Sequence, residues 1–314
     1  MIRSLPLFLI SWLGISPAFA GGIAFVTNQT SNDVTVIDLT SGEMLKIIPI
    51  GGNPAAVSVG PLGQYIYVVS PESKTLSVLD RASLTVSKQI TLEGGPFGVA
   101  VHPDGKRVYV TDWFAARIFE VDPVDAQVIR ILDAGKSPSG LAVTPDGAKL
   151  LSADRDSNQI SIFDTATGKR ITTVPTGERP FGVTISTDGT RAYTADVGTN
   201  TVTVIDIAQA EVIGSIKVGE RPYAVALAQG RGFATNQYAD TVSVFDLQTL
   251  APIATIDVGE YPEGINTSID GTEIIVANWF SNSLSIIDVK TLEVTGEIET
   301  GDGPRAFGAF ILSQ

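Results

Sequence analysis

Thirty-four carboxylates, one histidine and no cysteine bound the chemistry open to this 314-residue chain. Without cysteine there is no thiolate metal site, no cysteine nucleophile, no Cys-x-x-Cys-His haem attachment and no disulfide framework. His102 alone cannot assemble a copper or haem ligand cluster, and its His-Pro-Asp-Gly setting reads as a turn. What remains for catalysis is paired carboxylates, which divide acid and base roles when their pKa values split. Most acids recur at fixed spacing, as in Asp38, Asp80, Asp122 and Asp164, or Asp104, Asp146, Asp188 and Asp270. Side-chain bonding to turn backbone accounts for those sets. Asp112, Asp154 and Asp196 are a separate set, candidates either for facing a common cation or for capping the loops that follow them. This reading assigns no catalytic residue, no resident metal and no cofactor.

Residues that build contact surfaces stand out more than residues that build catalysts. Trp113, Trp279, Tyr238 and Arg155 follow apolar runs, and Arg179, Phe181, Arg221, Tyr223, Tyr261 and Arg305 flank recurring prolines. Trp, Tyr and Arg join large contact area to a polar or cationic handle, the usual make-up of a binding hot spot. The aromatics have packing between neighbouring units as their other reading. The arginines have two others. Local ion pairs with Glu178, Glu220, Glu260 and Asp302 are one, and a ring of Arg179, Arg221 and Arg305 that holds an anion is the second.

A repeat fixes these positions. Gly-x-x-Pro turns place Pro54, Pro96, Pro138, Pro180, Pro222, Pro262 and Pro304 at intervals of 42 residues, with one interval of 40. In one unit, Pro96 to His102 reads as strand a, Asp104-Gly105 as a hairpin turn, Val108 to Thr111 as b, Arg117 to Val121 as c, and Val128 to Leu132 as d. Four antiparallel strands per unit with no helical period predict an all-β, seven-bladed β-propeller. The residue two past each proline is Ala56, Gly98, Gly140, Gly182, Ala224, Gly264 or Ala306, small as expected where innermost strands converge. The chain enters at a b strand, Ala24 to Thr27, and leaves on an a strand, Arg305 to Leu312. N-terminal b, c and d strands and the C-terminal a strand are therefore expected to close one blade together. The d–a and b–c connections share one face, and that face carries the Trp, Tyr and Arg residues.

Phe25-Val-Thr-Asn28, Tyr109-Val-Thr-Asp112 and Phe233-Ala-Thr-Asn236, with Pro-Asp-Gly turns and Val-x-Val-Ile-Asp strands, resemble the YVTN β-propeller repeat family over residues 24–312. The resemblance implies the fold and exported members, and it implies no single activity. More distantly the chain is similar to the propellers of the methylamine dehydrogenase heavy chain, of haem-containing nitrite reductase and nitrous oxide reductase, and of lactonases and streptogramin lyases. Most of these need histidines that this chain lacks.

Residues 1–20 read as a cleaved signal peptide, with Arg3 in the positive region, a short apolar run to Ile15 and an Ala18-Phe19-Ala20 cleavage site. Residues 21–314 then read as one propeller domain sent to the periplasm or the extracellular space. No segment is long and apolar enough to span a bilayer. A net charge of -13 opposes nucleic acid as a partner. The first reading is a monomeric, non-catalytic binding module that docks a protein partner or a small anionic ligand on the d–a/b–c face. A second is an enzyme or accessory factor of a periplasmic redox or quinone-dependent dehydrogenase pathway. A third is a lactonase or lyase that works on carboxylates alone. The missing cysteine and the single histidine favour the first.

Overall fold

Hydrophobic alternation sorts the strands by radius. In the unit that begins at Pro96, strand b (Val108–Asp112) is buried at every position and strand c (Arg117–Asp122) at all but its ends. Strand d (Gln127–Asp133) buries Leu132 and exposes Ile129 and Ile131. A strand with apolar side chains on both faces must lie between two neighbouring sheets, whereas one with an open face belongs at the perimeter.

The computed structural model describes residues 21–312. The expected signal peptide and its cleavage site lie outside the described residues. Seven sheets form the ring: blade 1 (residues 23–49 with the C-terminal strand), blade 2 (56–91), blade 3 (96–133), blade 4 (138–175), blade 5 (180–217), blade 6 (222–257) and blade 7 (262–299). Each runs antiparallel in the order a, b, c, d. Strand ends differ from the sequence expectation by one residue, as in Pro96–Val101 and Gln127–Asp133. A 3-10 turn, Arg155–Ser157, interrupts the b–c loop of blade 4.

Closure differs in one respect from a single terminal strand. The tail is divided: Phe307–Ala309 pairs in parallel with strand a of blade 2, Ala56–Val59, and Ile311–Leu312 pairs antiparallel with Ile23 and Ala24 of blade 1. The physical reason lies at Gly308, which has φ +121° and whose Cβ would fall 2.3 Å from the carbonyl oxygen of Val57. Glycine lets the tail approach that backbone, and the tail then covers an otherwise unpaired strand edge.

The small residues two past each proline mark contact between blades. A Cβ on Gly98 would lie 2.0 Å from the carbonyl oxygen of Ser139, on Gly140 2.6 Å from that of Phe181, and on Gly182 2.7 Å from that of Tyr223. Neighbouring a strands pack backbone to backbone there, so the central shaft is narrowest at this level.

Candidate functional site

The d–a turns and b–c loops are held in place by one recurring clamp. The side-chain oxygens of Asn158, Asn200 and Asp240, at the ends of b–c loops, accept the backbone N–H of Arg179, Arg221 and Tyr261 at 2.8, 2.9 and 2.8 Å. Those three residues precede a proline in the left-handed region, with φ of 57°, 55° and 60°. A non-glycine residue held there costs on the order of 1 kcal/mol, and the clamp helps to hold it.

Beneath the loops, the last residue of each b strand is Asn28, Ser70, Asp112, Asp154, Asp196, Asn236 or Asn278, and all seven are buried. Asp112 accepts the Gly95 amide at 2.9 Å and Arg117 Nε at 2.8 Å. Burial opposes its ionisation, but the Gly95 amide, Arg117 and the Ala115 and Phe114 amides outweigh it and hold the carboxyl below its ordinary range. Asp154 and Asp196 have hydroxyl partners instead, Ser161 at 2.5 Å and Thr203 at 2.6 Å. Burial raises Asp154 against those bonds and pushes Asp196 up to about 6. The three aspartates sit in separate blades, and of them Asp112 caps its b–c loop, accepting the Phe114 and Ala115 amides at 3.2 Å each. Among the described residues no three His, Cys, Asp or Glu side chains gather as a metal ion would require.

The residue one past each proline is Ala55, Phe97, Ser139, Phe181, Tyr223, Glu263 or Arg305. Three of them meet with Phe307 to plug the shaft on this face. Phe97, Phe181, Tyr223 and Phe307 contact one another with ring centroids 4.4–5.7 Å apart. Trp113 edges onto Phe97 at 5.3 Å, and Arg155 stacks over Trp113 at 5.5 Å. Phe181 and Tyr223 are buried, so their part is packing.

Arg305 turns inward beside the plug. Its Nε and Nη2 donate to Tyr223 Oη at 2.8 and 2.5 Å, and Nε lies 3.0 Å from Glu263 Oε2. Gln237 Nε2 donates to Glu263 Oε1 at 2.6 Å, and Gln29 Oε1 accepts from Arg305 at 3.3 Å. Burial raises Glu263, against the pull of Arg305, Gln237 and Tyr223. Burial also keeps the Tyr223 phenol protonated. Arg305 therefore pairs with Glu263 of the neighbouring blade, not with Asp302, and its charge is matched. Arg221 stacks 4.6 Å over Tyr238 and donates to its hydroxyl at 2.8 Å, while Arg179 is exposed. Two of the three arginines, Arg305 and Arg221, lie near enough to Glu263 for both charges to favour its ionised form.

A second aromatic cluster lies on the b–c loops of blades 6 and 7 and the d–a turn between them. Tyr261 meets Tyr238 at 5.7 Å, Trp279 at 6.0 Å and Phe280 at 4.9 Å. Here Tyr238 is 51% and Phe280 58% exposed, and in blade 3 Phe114 is 82% exposed. Trp113 and Trp279 occupy equivalent positions yet join different clusters. The residue after the b strand turns inward and the next one outward, which makes Phe280 and Phe114 the open contacts.

Glu263 stands among the residues expected on the d–a face, but its pairing with Arg305 was not legible in the sequence. Nor was Phe307, although it departs from a repeat position filled elsewhere by Val, Leu or Ile. Glu120, in a c-strand position filled elsewhere by Val or Ile, is buried with Arg130 Nε at 3.1 Å and Arg107 at 3.9 Å. His102 is buried in its turn, with Nε2 2.9 Å from the carbonyl oxygen of Gly147 in the next blade.

No protein-family model and no curated protein sequence matches the chain. Solved structures do. The hydrazine synthase of Kuenenia stuttgartiensis has a chain that is 18% identical with a TM-score of 0.73, and the match covers 81% of this chain and 89% of that one. A functionally unknown protein from Desulfotomaculum acetoxidans is 15% identical with a TM-score of 0.79, covering 90% and 98%. At such identities the likeness is one of fold, the seven-bladed propeller.

Proposed function

We propose that this chain is an exported, non-catalytic member of the YVTN-repeat propellers that docks a protein partner on its d–a/b–c face. One observation carries the reading: Tyr238, Tyr261, Trp279 and Phe280 form a continuous aromatic patch, partly open to solvent and edged by Arg221. Exposed, mutually packed aromatics offer rigid contact area at little entropy cost and suit a protein surface. A small anion is the weaker ligand, because Glu263 already matches the Arg305 charge. The same rigid ring supports the module as a scaffold whose loops carry contacts.

Affinity capture from a periplasmic extract tests this with wild type, a Tyr238→Ala/Phe280→Ala double variant and a Leu62→Ala control on the opposite face. A partner retained by wild type and the control but weakened at least about tenfold by the double variant supports the docking face. Equal retention by all three overturns it. Cell fractionation of the full chain tests export.

A further inference from the structure

The plug leaves the shaft open at one end only. From the a–b turns a cavity of about 620 Å3 runs inward between the a strands, and its far end is closed by Phe307 and by the Gly140 and Gly182 backbone. Phe307 is itself backed by Phe97, Phe181 and Tyr223. The volume falls within the range of small-molecule pockets.

The lining is mostly aliphatic, in two layers, with Ser58, Thr184, Ser186, Thr187, Asn266 and Thr267 among them. Val99, Leu141, Val183, Val225 and Ile265 form the deeper one, and Val59, Val101, Val143, Ile185 and Leu227 the shallower. Among the described residues no Asp, Glu, Lys, Arg or His lines the cavity, in a chain of net charge -13. Several edge groups that could have held water are occupied within the wall. Thr184 donates to the Val225 carbonyl at 2.6 Å, Thr267 to the Leu227 carbonyl at 3.0 Å and Asn266 to the Gly308 carbonyl at 3.0 Å. The parallel pairing of Phe307–Ala309 covers the edge of blade 2. Wide aliphatic walls suit an apolar guest, and a charged guest would lose its hydration with no counter-charge to replace it.

We propose that this dead-end shaft is a binding site for a neutral, apolar small molecule that enters from the a–b face. The site is independent of the aromatic docking face and lies at the opposite end of the ring. Three prolines, Pro61, Pro103 and Pro145, stand at its mouth, and their fixed φ keeps the entrance rigid.

Two probes with the same ring system separate charge from shape: neutral N-phenyl-1-naphthylamine and its anionic relative 1-anilinonaphthalene-8-sulfonate. Fluorescence titration of wild type is expected to show saturable 1:1 binding of the neutral probe, with the sulfonate at least about tenfold weaker. Ala309 lines the cavity and is solvent-accessible, so Ala309→Trp fills the shaft with little disturbance of packing. It is expected to abolish binding of the neutral probe while leaving the melting temperature within about 2 °C, a shift typical of a surface change. Val101→Trp provides a second filler, and Tyr238→Ala/Phe280→Ala is expected to leave binding unchanged. Absence of saturable binding by wild type, equal affinity for the two probes, survival of binding in either folded filler, or loss of it in the Tyr238/Phe280 variant would each overturn the proposal. The wild-type comparison decides the matter even where a filler does not fold.

Discussion

Phe97, Phe181, Tyr223 and Phe307 on the axis, and Tyr238, Tyr261, Trp279 and Phe280 on the loops of blades 6 and 7, are two clusters of four aromatics on one face of the ring. The first closes the shaft and buries Phe181, Tyr223 and Phe307, while the second leaves Tyr238 and Phe280 more than half exposed. Residue type does not separate them. Position in the repeat does: one past the proline points to the axis, and two past the b strand points to solvent. Aromatic enrichment on a propeller face is therefore a sum of packing and contact, and only the contact part bears on a partner.

The sharpest way to break this contrast is at the charged edge of the plug. Arg305→Met leaves Glu263 buried without its cation and is expected to cost about 3–5 kcal/mol, read from urea unfolding. Glu263 then holds its proton more firmly in the folded state than in the unfolded chain, so the cost grows as pH rises through the carboxylate range. A Glu263→Gln/Arg305→Met double variant recovers much of the loss; failure to recover would show that Arg305 acts through shape and not charge.

Next is Phe181→Ala, which opens a cavity in the plug at an expected cost of about 3 kcal/mol. A cost below about 1 kcal/mol would mean that the axis cluster is no better packed than the loop cluster.

The anchors under the loops differ in the same sense, since Asn236 and Asn278 hold the exposed cluster while carboxylates hold blades 3 to 5. Asp196, pushed up to about 6 by burial, keeps a proton in the folded state at pH values where the unfolded chain has lost it. The Asp196 contribution to stability therefore falls as pH rises from about 4 to about 6. Asp196→Asn removes that loss and is expected to add about 1–3 kcal/mol at pH 7 and nothing below the window. The same change at Asp112 is expected to destabilise, because Arg117 loses its partner and the carboxyl is held low, so its contribution is present at neutral pH and vanishes on acidification.

The smallest stability effect belongs to the exposed cluster. Tyr238→Ala and Phe280→Ala are each expected to change unfolding free energy by no more than about 0.5 kcal/mol. A loss of 2 kcal/mol or more in thermal or urea melts would move this cluster into the packing class beside the plug.

Repeat spacing alone determined the seven blades, the four strands in each and the face on which Trp, Tyr and Arg collect, because a 42-residue period and strict alternation are local properties of the chain. The small residues two past each proline could be read as points of convergence for the same reason. Tertiary structure decided what no local pattern encodes. Arg305 meets Glu263, and Phe307 meets Phe181, Tyr223 and Phe97, because ring closure brings blades distant in sequence to one axis. The divided tail depends on Gly308 fitting against Val57. The apolar shaft exists only once the a strands stand around a common axis, so aliphatic positions that look like ordinary core in one unit become the wall of a pocket in seven.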